Sequence, residues 1–309
     1  MRRVICLFLV IALSSLAAPI AAGPAQAREK LDATPRIVVM SAFEPELKLL
    51  LGKAQIERTV SANGVAFSLG KLAGKEVVMF LSGVSMVNAA MNTQLALDRF
   101  NVTAVVFSGI AGGVNPGLQI GDVTVAARWG QYQEMVFARQ TDKGFAPPPW
   151  MKTPFPAYGY MFTREVNVRR DGGDAKGEEK FWFDADPKLL GIARQVAGQI
   201  KLSQCNAANA CLGHEPRIVV GGSGVSGQTF VDNAQFREWA FATFKADVLD
   251  MESAASAMVA YANDKPFIAF RSLSDLAGGG GGTNEIKTFF QLAADNAAHV
   301  LIAFLEAWH

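Results

Sequence analysis

Arg36–Ala42 (RIVVMSA) is an almost unbroken apolar run rich in β-branched residues, the pattern of a strand buried on both faces. Pro45 with the following ELKLLL predicts a helix start, with proline in the first turn. Val65–Leu69 and Lys75–Ser82 read as two strands joined by a turn at Ala73-Gly74, and Ser85–Arg99 as a helix. Thr103–Ser108 (TAVVFS) is another buried strand, running into GIAGG, and Asp122–Ala127 a strand after the turn at Gly121. The periodicity then predicts a helix over Pro187–Ile200, a strand over Arg217–Gly222, a helix over Asn233–Phe244 and a short strand over Ala246–Leu249. Glu252–Ala262 reads as helix, Pro266–Leu273 as strand, and Ile286–Trp308 as a long terminal helix.

Strands alternating with helices predict an α/β fold: a single domain whose central, mixed but largely parallel twisted sheet is flanked by helices. No internal repeat and no linker divides it. The irregular part is Gln140–Asp186, rich in Gly, Pro and aromatics (Phe145, Trp150, Phe155, Tyr158, Tyr160, Phe162). A stretch this long inside a compact domain is usually functional or disordered, and its aromatics favour a packed loop or lid. Its aromatic side chains are expected to reach a substrate pocket, the alternative being decoration of a remote surface. The charged segment Arg169–Lys180 reads as a solvated excursion.

The first residues do not read as part of this domain. Arg2 and Arg3, an apolar run over Val4–Ala17, the breakers Pro19 and Gly23, and Ala25-Gln26-Ala27 together have the form of a cleavable secretory signal. Cleavage after Ala27 would leave a domain spanning residues 28–309. The apolar run is short for a membrane span, and no later run reaches its length. Export then agrees with the cysteines. Only Cys205 and Cys211 follow the leader, in CNAANAC, a spacing that reads as a local disulfide in an oxidising compartment, with two free thiols the alternative.

Composition narrows the classes. The chain has 309 residues, 50% hydrophobic and 18% charged, which fits a globular protein with a sizeable core. Lys+Arg is 29 and Asp+Glu 28, a net charge of +1 that loss of Arg2 and Arg3 turns to −1. Neither value, nor any dense basic tract, gives a footprint for nucleic acid. Three His and three Cys argue against a multinuclear zinc protein.

Chemistry in α/β folds gathers at the carboxyl ends of strands. Here those ends carry Ser41-Ala42-Phe43-Glu44-Pro45-Glu46, Ser82-Gly83-Val84-Ser85, Ser108-Gly109-Ile110-Ala111-Gly112-Gly113, Asp250-Met251-Glu252 and Arg271-Ser272-Leu273-Ser274-Asp275. Each charged residue also has a plain reading. Glu46 and Glu252 suit a first helical turn, Asp275 could cap a turn before Gly278–Gly282, and Arg271 could be a structural ion-pair partner.

Taken in order, SAFEPEL, SGVS with Asn88, SGIAGGVNPGLQIGDV, SGQTF, LDMESAA and FRSLSD resemble the nucleoside phosphorylase superfamily. They look most like its hydrolytic branch, the 5′-methylthioadenosine/S-adenosylhomocysteine nucleosidases. The resemblance runs from about Arg36 to the C-terminus, interrupted by Gln140–Asp186, and implies the superfamily's fold. It implies Glu46 as the base that activates water and Arg271 as the residue that helps place that water. It implies Glu252 at the ribose hydroxyls and Met251 against the sugar. Asp275 would act on the purine N7, supported by Ser274, with Phe230 and Val231 lining the base pocket. Ile110 stands where some nucleosidases have serine, and Asp250 replaces a common glutamate. The implied partner is a small-molecule purine nucleoside, with no cofactor, no metal, no nucleic acid and no membrane after cleavage, and a homo-oligomer is expected.

The implied chemistry is coherent. Breaking an N-glycosidic bond needs an acid at the leaving base and a base at the water. Asp275 should therefore sit in a partly dry pocket that raises its pKa, while Arg271 should keep Glu46 ionised. The superfamily's phosphorylases typically carry a GDP-x-R-like first loop whose arginine grips phosphate. SAFEPE has two acids and no base, which favours water as the nucleophile. A phosphate-dependent phosphorylase and a non-catalytic nucleoside-binding or storage protein are the alternatives.

Overall fold

The computed structural model describes residues 29–309; the expected leader, residues 1–27, lies outside them. Along the first strand, Asp32–Ser41, successive side chains point to opposite faces of the sheet. Val38 and Met40 join Phe67, Phe80 and Phe107 on one face, and Ile37 and Val39 join Val77, Met79 and Val106 on the other. Both faces are covered, which is why these strands read as unbroken apolar runs. Helices Met86–Arg99 and Ser253–Ala262 cover the first face through Leu95, Ala96, Ala254 and Ala257. Helices Glu44–Lys53, Pro187–Ala197 and Ile286–Ala307 cover the second through Leu50, Leu189, Leu301 and Phe304.

The sheet is mixed. Its longest strand, Phe100–Gly113, is parallel to Asp32–Ser41 on one side and to Phe267–Asp275 on the other. Asp32–Ser41 is also parallel to Lys75–Leu81. These parallel pairings bring the carboxyl ends of four strands to one edge, where the acidic motifs lie. Beyond Lys75–Leu81 the sheet continues antiparallel through Val65–Leu72 to Gln55–Ala62. Toward the opposite edge Ala246–Asp250, Ser223–Ser226, Arg128–Gln131 and Trp182–Asp184 follow. The fold is thus one α/β domain with a mixed, partly parallel sheet between helices.

Several elements differ from the sequence reading. Phe100–Gly113 continues through GIAGG instead of ending at Ser108, because Gly112 and Gly113 pair with Leu249 and Val248. Gln55–Ala62 is a strand although almost all of it is exposed. The 140–186 segment is not irregular throughout. It forms short hairpins, and Trp182–Asp184 joins the main sheet against Arg128–Gln131. Ile286–Ala307 is long and apolar enough to cross a membrane by length and composition. It instead buries Leu292, Val300, Leu301 and Phe304 in the core.

Candidate active site

Glu46 enters the site because Pro45 starts a helix directly after the first strand. Its side chain, 2% exposed, turns back onto the strand ends. The Ala42 N–H donates to Oε2 and the Ile110 N–H to Oε1, each at 2.8 Å. Arg271, on the strand Phe267–Asp275 across Phe100–Gly113 from the first strand, is fully buried. Its Nη1 lies 3.9 Å from Glu46 Oε1 and donates to the Ile110 carbonyl at 3.2 Å. Nη2 lies 3.5 Å from Glu252 Oε2. Nε lies 2.8 Å from Asp250 Oδ2, with its N–H directed to Ser253 Oγ at 3.0 Å. The guanidinium rests over the Phe107 ring at 4.2 Å. Ile110 therefore serves both charged groups through its backbone, whatever its side chain lacks.

Glu252 stands just before helix Ser253–Ala262, and its Oε1 accepts the Ser85 N–H at 2.8 Å. Ser85 holds φ at 81°, a conformation that costs a non-glycine residue about 1–3 kcal/mol and recurs at functional sites. Burial pushes Glu252 up to about 7. Arg271 and the Ser85 N–H oppose this rise, while Asp250 and Glu46 add to it.

Asp275 ends the strand Phe267–Asp275, shortly before the Gly278–Gly282 run in the chain. Oδ1 accepts the Ala277 N–H at 2.8 Å and the Asn284 amide at 3.3 Å, and Oδ2 accepts the Ser274 hydroxyl at 2.9 Å. Burial raises its pKa against these bonds, the direction expected of a group that must carry a proton. Glu46 departs from expectation. Arg271 does pull it toward ionisation, but burial is the larger effect and its pKa is raised. A raised carboxylate is a stronger base, so the shift suits proton abstraction near neutral pH.

These side chains meet at one cavity of about 200 Å³. Its walls include Glu46, Ile110, Phe230, Val231, Met251, Glu252, Ser274 and Asp275. Of the catalytic and nucleoside-contacting residues that the resemblance implies, all but Arg271 line it, and Arg271 stands behind Glu46 and Glu252. Phe230 is 54% exposed, at the solvent-facing side. Phe43, Val84, Leu249 and Ile286 add apolar wall that the sequence reading did not include. It also missed the Ala42, Ile110 and Ser85 N–H groups, Asn284, and the part played by Asp250.

The expectation that the 140–186 aromatics reach this cavity is not met: none of those residues lines it. Phe155 packs on Phe181 and Phe244, and Tyr158 on Phe236 and Trp239, so both are held by helix Ala234–Phe244. Trp150 points to solvent at 79% exposure. Cys205 and Cys211 do not line the cavity and face one another with sulfurs 2.04 Å apart.

A cavity at strand carboxyl ends, walled by carboxylates, two aromatic rings and apolar groups, has the form of a small-molecule site in an α/β fold. The sequence profile of the Phosphorylase superfamily matches residues 36–306, and the chain belongs to that family. Its relatives include 5′-methylthioadenosine/S-adenosylhomocysteine nucleosidases. That of Listeria monocytogenes serotype 4b is 30% identical over 272 residues, 87% of this chain and 98% of the relative. That of Tolumonas auensis is 28% identical over 275 residues, 88% and 99% of the two chains. The Neisseria meningitidis nucleosidase, solved with methylthio-immucillin-A, shares the fold at a TM-score of 0.66 and 24% identity, covering 89% of this chain and 100% of that one. Helicobacter pylori futalosine hydrolase shares it at 0.65 and 20% identity, covering 89% and 98%.

Proposed function

We propose that this chain is an exported nucleosidase that hydrolyses the N-glycosidic bond of purine nucleosides of the 5′-methylthioadenosine/S-adenosylhomocysteine type. Asp275 gives its proton to N7 of the leaving base while Glu46 takes one from water. The water oxygen bonds to C1′ as the bond to N9 breaks, so free base and free sugar leave. Glu252 accepts hydrogen bonds from the ribose diol, Met251 packs on the sugar, Ser274 supports Asp275, and Phe230 and Val231 bound the base.

The observation that carries hydrolysis over phosphorolysis is the charge of the wall. Glu46, Asp250, Glu252 and Asp275 line the cavity, and no basic side chain does so among the described residues. The one cation at hand, Arg271, is buried behind them. A phosphate dianion would be repelled there, whereas a water would be activated. The test is product analysis on 5′-methylthioadenosine with and without inorganic phosphate. Adenine and free 5-methylthioribose at the same rate in both are expected. A requirement for phosphate, with a sugar 1-phosphate product, would overturn hydrolysis, and no base release at all would favour the binding or storage alternative.

Export is the second part of the proposal. It rests on the Arg2-Arg3, apolar run and Ala25-Gln26-Ala27 order, and on a cysteine pair suited to an oxidising compartment. The mature protein is expected to begin at Arg28, to lie in the periplasm or medium, and to resist alkylation at Cys205 and Cys211 until reduced. Intact-mass spectrometry that finds Met1 retained, or both thiols free, defeats it. A homo-oligomer would find an apolar face at Val84, Val87 and Met91, which are 44%, 65% and 56% exposed, and sedimentation of the same sample reads its size.

A further inference from the structure

The proposed chemistry leaves one carboxylate of the cavity wall without a role. Asp250 closes the strand Ala246–Asp250 and is buried. Its Oδ1 gathers the Ser226 hydroxyl and the backbone N–H groups of Glu252 and Ser253, at 3.3 and 3.2 Å. Ser226 Oγ in turn accepts the Ala254 N–H at 2.9 Å, so this carboxylate organises the whole turn that presents Glu252. Its Oδ2 faces the other way, 2.8 Å from Arg271 Nε. Asp250 Oδ2 and Arg271 Nη2 are both buried without a hydrogen bond, although each stands beside an opposite charge. An uncompensated buried charge is costly, so charge alone holds Asp250 Oδ2 to Arg271 Nε and Arg271 Nη2 to Glu252 Oε2.

The arrangement is a strut. Nε of Arg271 is fixed from behind, by Asp250 and Ser253, and its two terminal nitrogens splay toward Glu46 and Glu252. The ring of Phe107 blocks one face of the guanidinium. Rotation about the Nε end would carry Nη1 and Nη2 away from both carboxylates together. We propose that Asp250 is a positioning residue: by holding Nε of Arg271 and the turn before Glu252, it sets the placement of Glu46 and Glu252 relative to one another. Asp250 does not itself touch the reacting atoms in this scheme.

The inference rests on the nucleosidase reading above, and a variant pair separates the two. Asp250→Asn keeps the size of the side chain but removes the charge that holds Arg271. Misplacement of reacting groups by about 1 Å can cost about 10²-fold in rate, so kcat should fall by about that factor with KM changed far less. A second readout is electrostatic. The charged groups facing Glu252 are Arg271, Asp250 and Glu46, and Asp250 also acts on the Tyr132 phenol, which burial and Asp250 push up. With one negative charge removed, Glu252 ionises more readily, and the acidic limb of kcat/KM should move to lower pH. Asp250→Glu keeps the charge, so it should leave the limb in place and recover most of kcat.

Wild-type protein that releases no base sinks the nucleosidase reading. Wild-type turnover together with an Asp250→Asn variant of unchanged kcat and unmoved limb sinks only the strut. A fall in thermal stability with normal kinetics in the folded fraction also overturns it. Should Asp250→Asn fail to fold, Ser226→Ala loosens Asp250 without changing its charge. A lower kcat with an unmoved limb supports the proposal, and wild-type kcat rejects it.

Discussion

Asp275→Asn is expected to fold normally and to lose about 10²–10⁴-fold in kcat, the usual contribution of general acid catalysis. The structure explains why folding should survive. The amide oxygen can still accept the Ala277 N–H at the position of Oδ1, and the amide nitrogen can donate to Ser274 Oγ at the position of Oδ2. What the amide cannot do is deliver a proton as the bond to N9 breaks. Burial raises the pKa of Asp275, so its acid form persists to higher pH than in an exposed aspartate. The basic limb of kcat/KM in the wild type should therefore reflect loss of that proton, and Asp275→Asn should lack the limb. Glu46→Gln is expected to be as damaging, for a different reason. Both Glu46 oxygens accept backbone N–H groups, and an amide nitrogen would set a donor against a donor at one of them. Single-turnover kinetics on 5′-methylthioadenosine check both. Near wild-type hydrolysis by Asp275→Asn alongside a silent Glu46→Gln would mean that another group activates the leaving base.

The strands were legible where burial on both faces leaves an unbroken apolar run, as in Ile37–Met40 or Ala104–Phe107. They were hidden where burial does not require apolar side chains. Ser223–Ser226 is wholly buried but reads as SGVS, since its neighbours supply the bulk. A Cβ on Gly224 would lie 2.4 Å from the Trp129 ring, and one on Gly227 would lie 2.4 Å from that of Tyr132. Gln55–Ala62 was hidden for the opposite reason: as an edge strand it is held by backbone pairing to Val65–Leu72 and buries almost nothing. In the cavity, the charged residues could be found because few acids or bases follow buried strands in this chain. The donors from Ala42, Ile110 and Ser85 could not, because every residue but proline has an N–H and only the fold aims it. The 140–186 aromatics misled in the same way. Their abundance says that they pack, and only the structure says that helix Ala234–Phe244 receives them.

Gly109→Ala is expected to lower kcat/KM by about 10²-fold or more and to lower stability. Gly109 lies opposite Arg271 in the parallel ladder, in the strand whose next residue holds Glu46 through its N–H. A Cβ there would stand 2.3 Å from Arg271 Nη1 and 2.6 Å from Glu46 Oε1, closer than non-bonded atoms can approach. Its φ is not in the left-handed region, so the demand for glycine here is one of space. Neither neighbour can yield cheaply. Arg271 is fully buried and fixed at Nε, and Glu46 is fixed by two N–H groups at 2.8 Å. Displacing either separates a buried charge from its partner, which typically costs about 3–5 kcal/mol. It also spoils the placement of water, where 1 Å costs about 10²-fold. Gly191→Ala is the control. That glycine lies inside helix Pro187–Ala197 with nothing within 4 Å of a built Cβ, so alanine should stabilise by about 1 kcal/mol and leave kinetics alone. Thermal unfolding and kcat/KM on the two variants check the contrast. Wild-type kinetics in Gly109→Ala would mean that Glu46 and Arg271 do not close around this glycine when the enzyme turns over, and the water-activating role of Glu46 would lose its geometric basis.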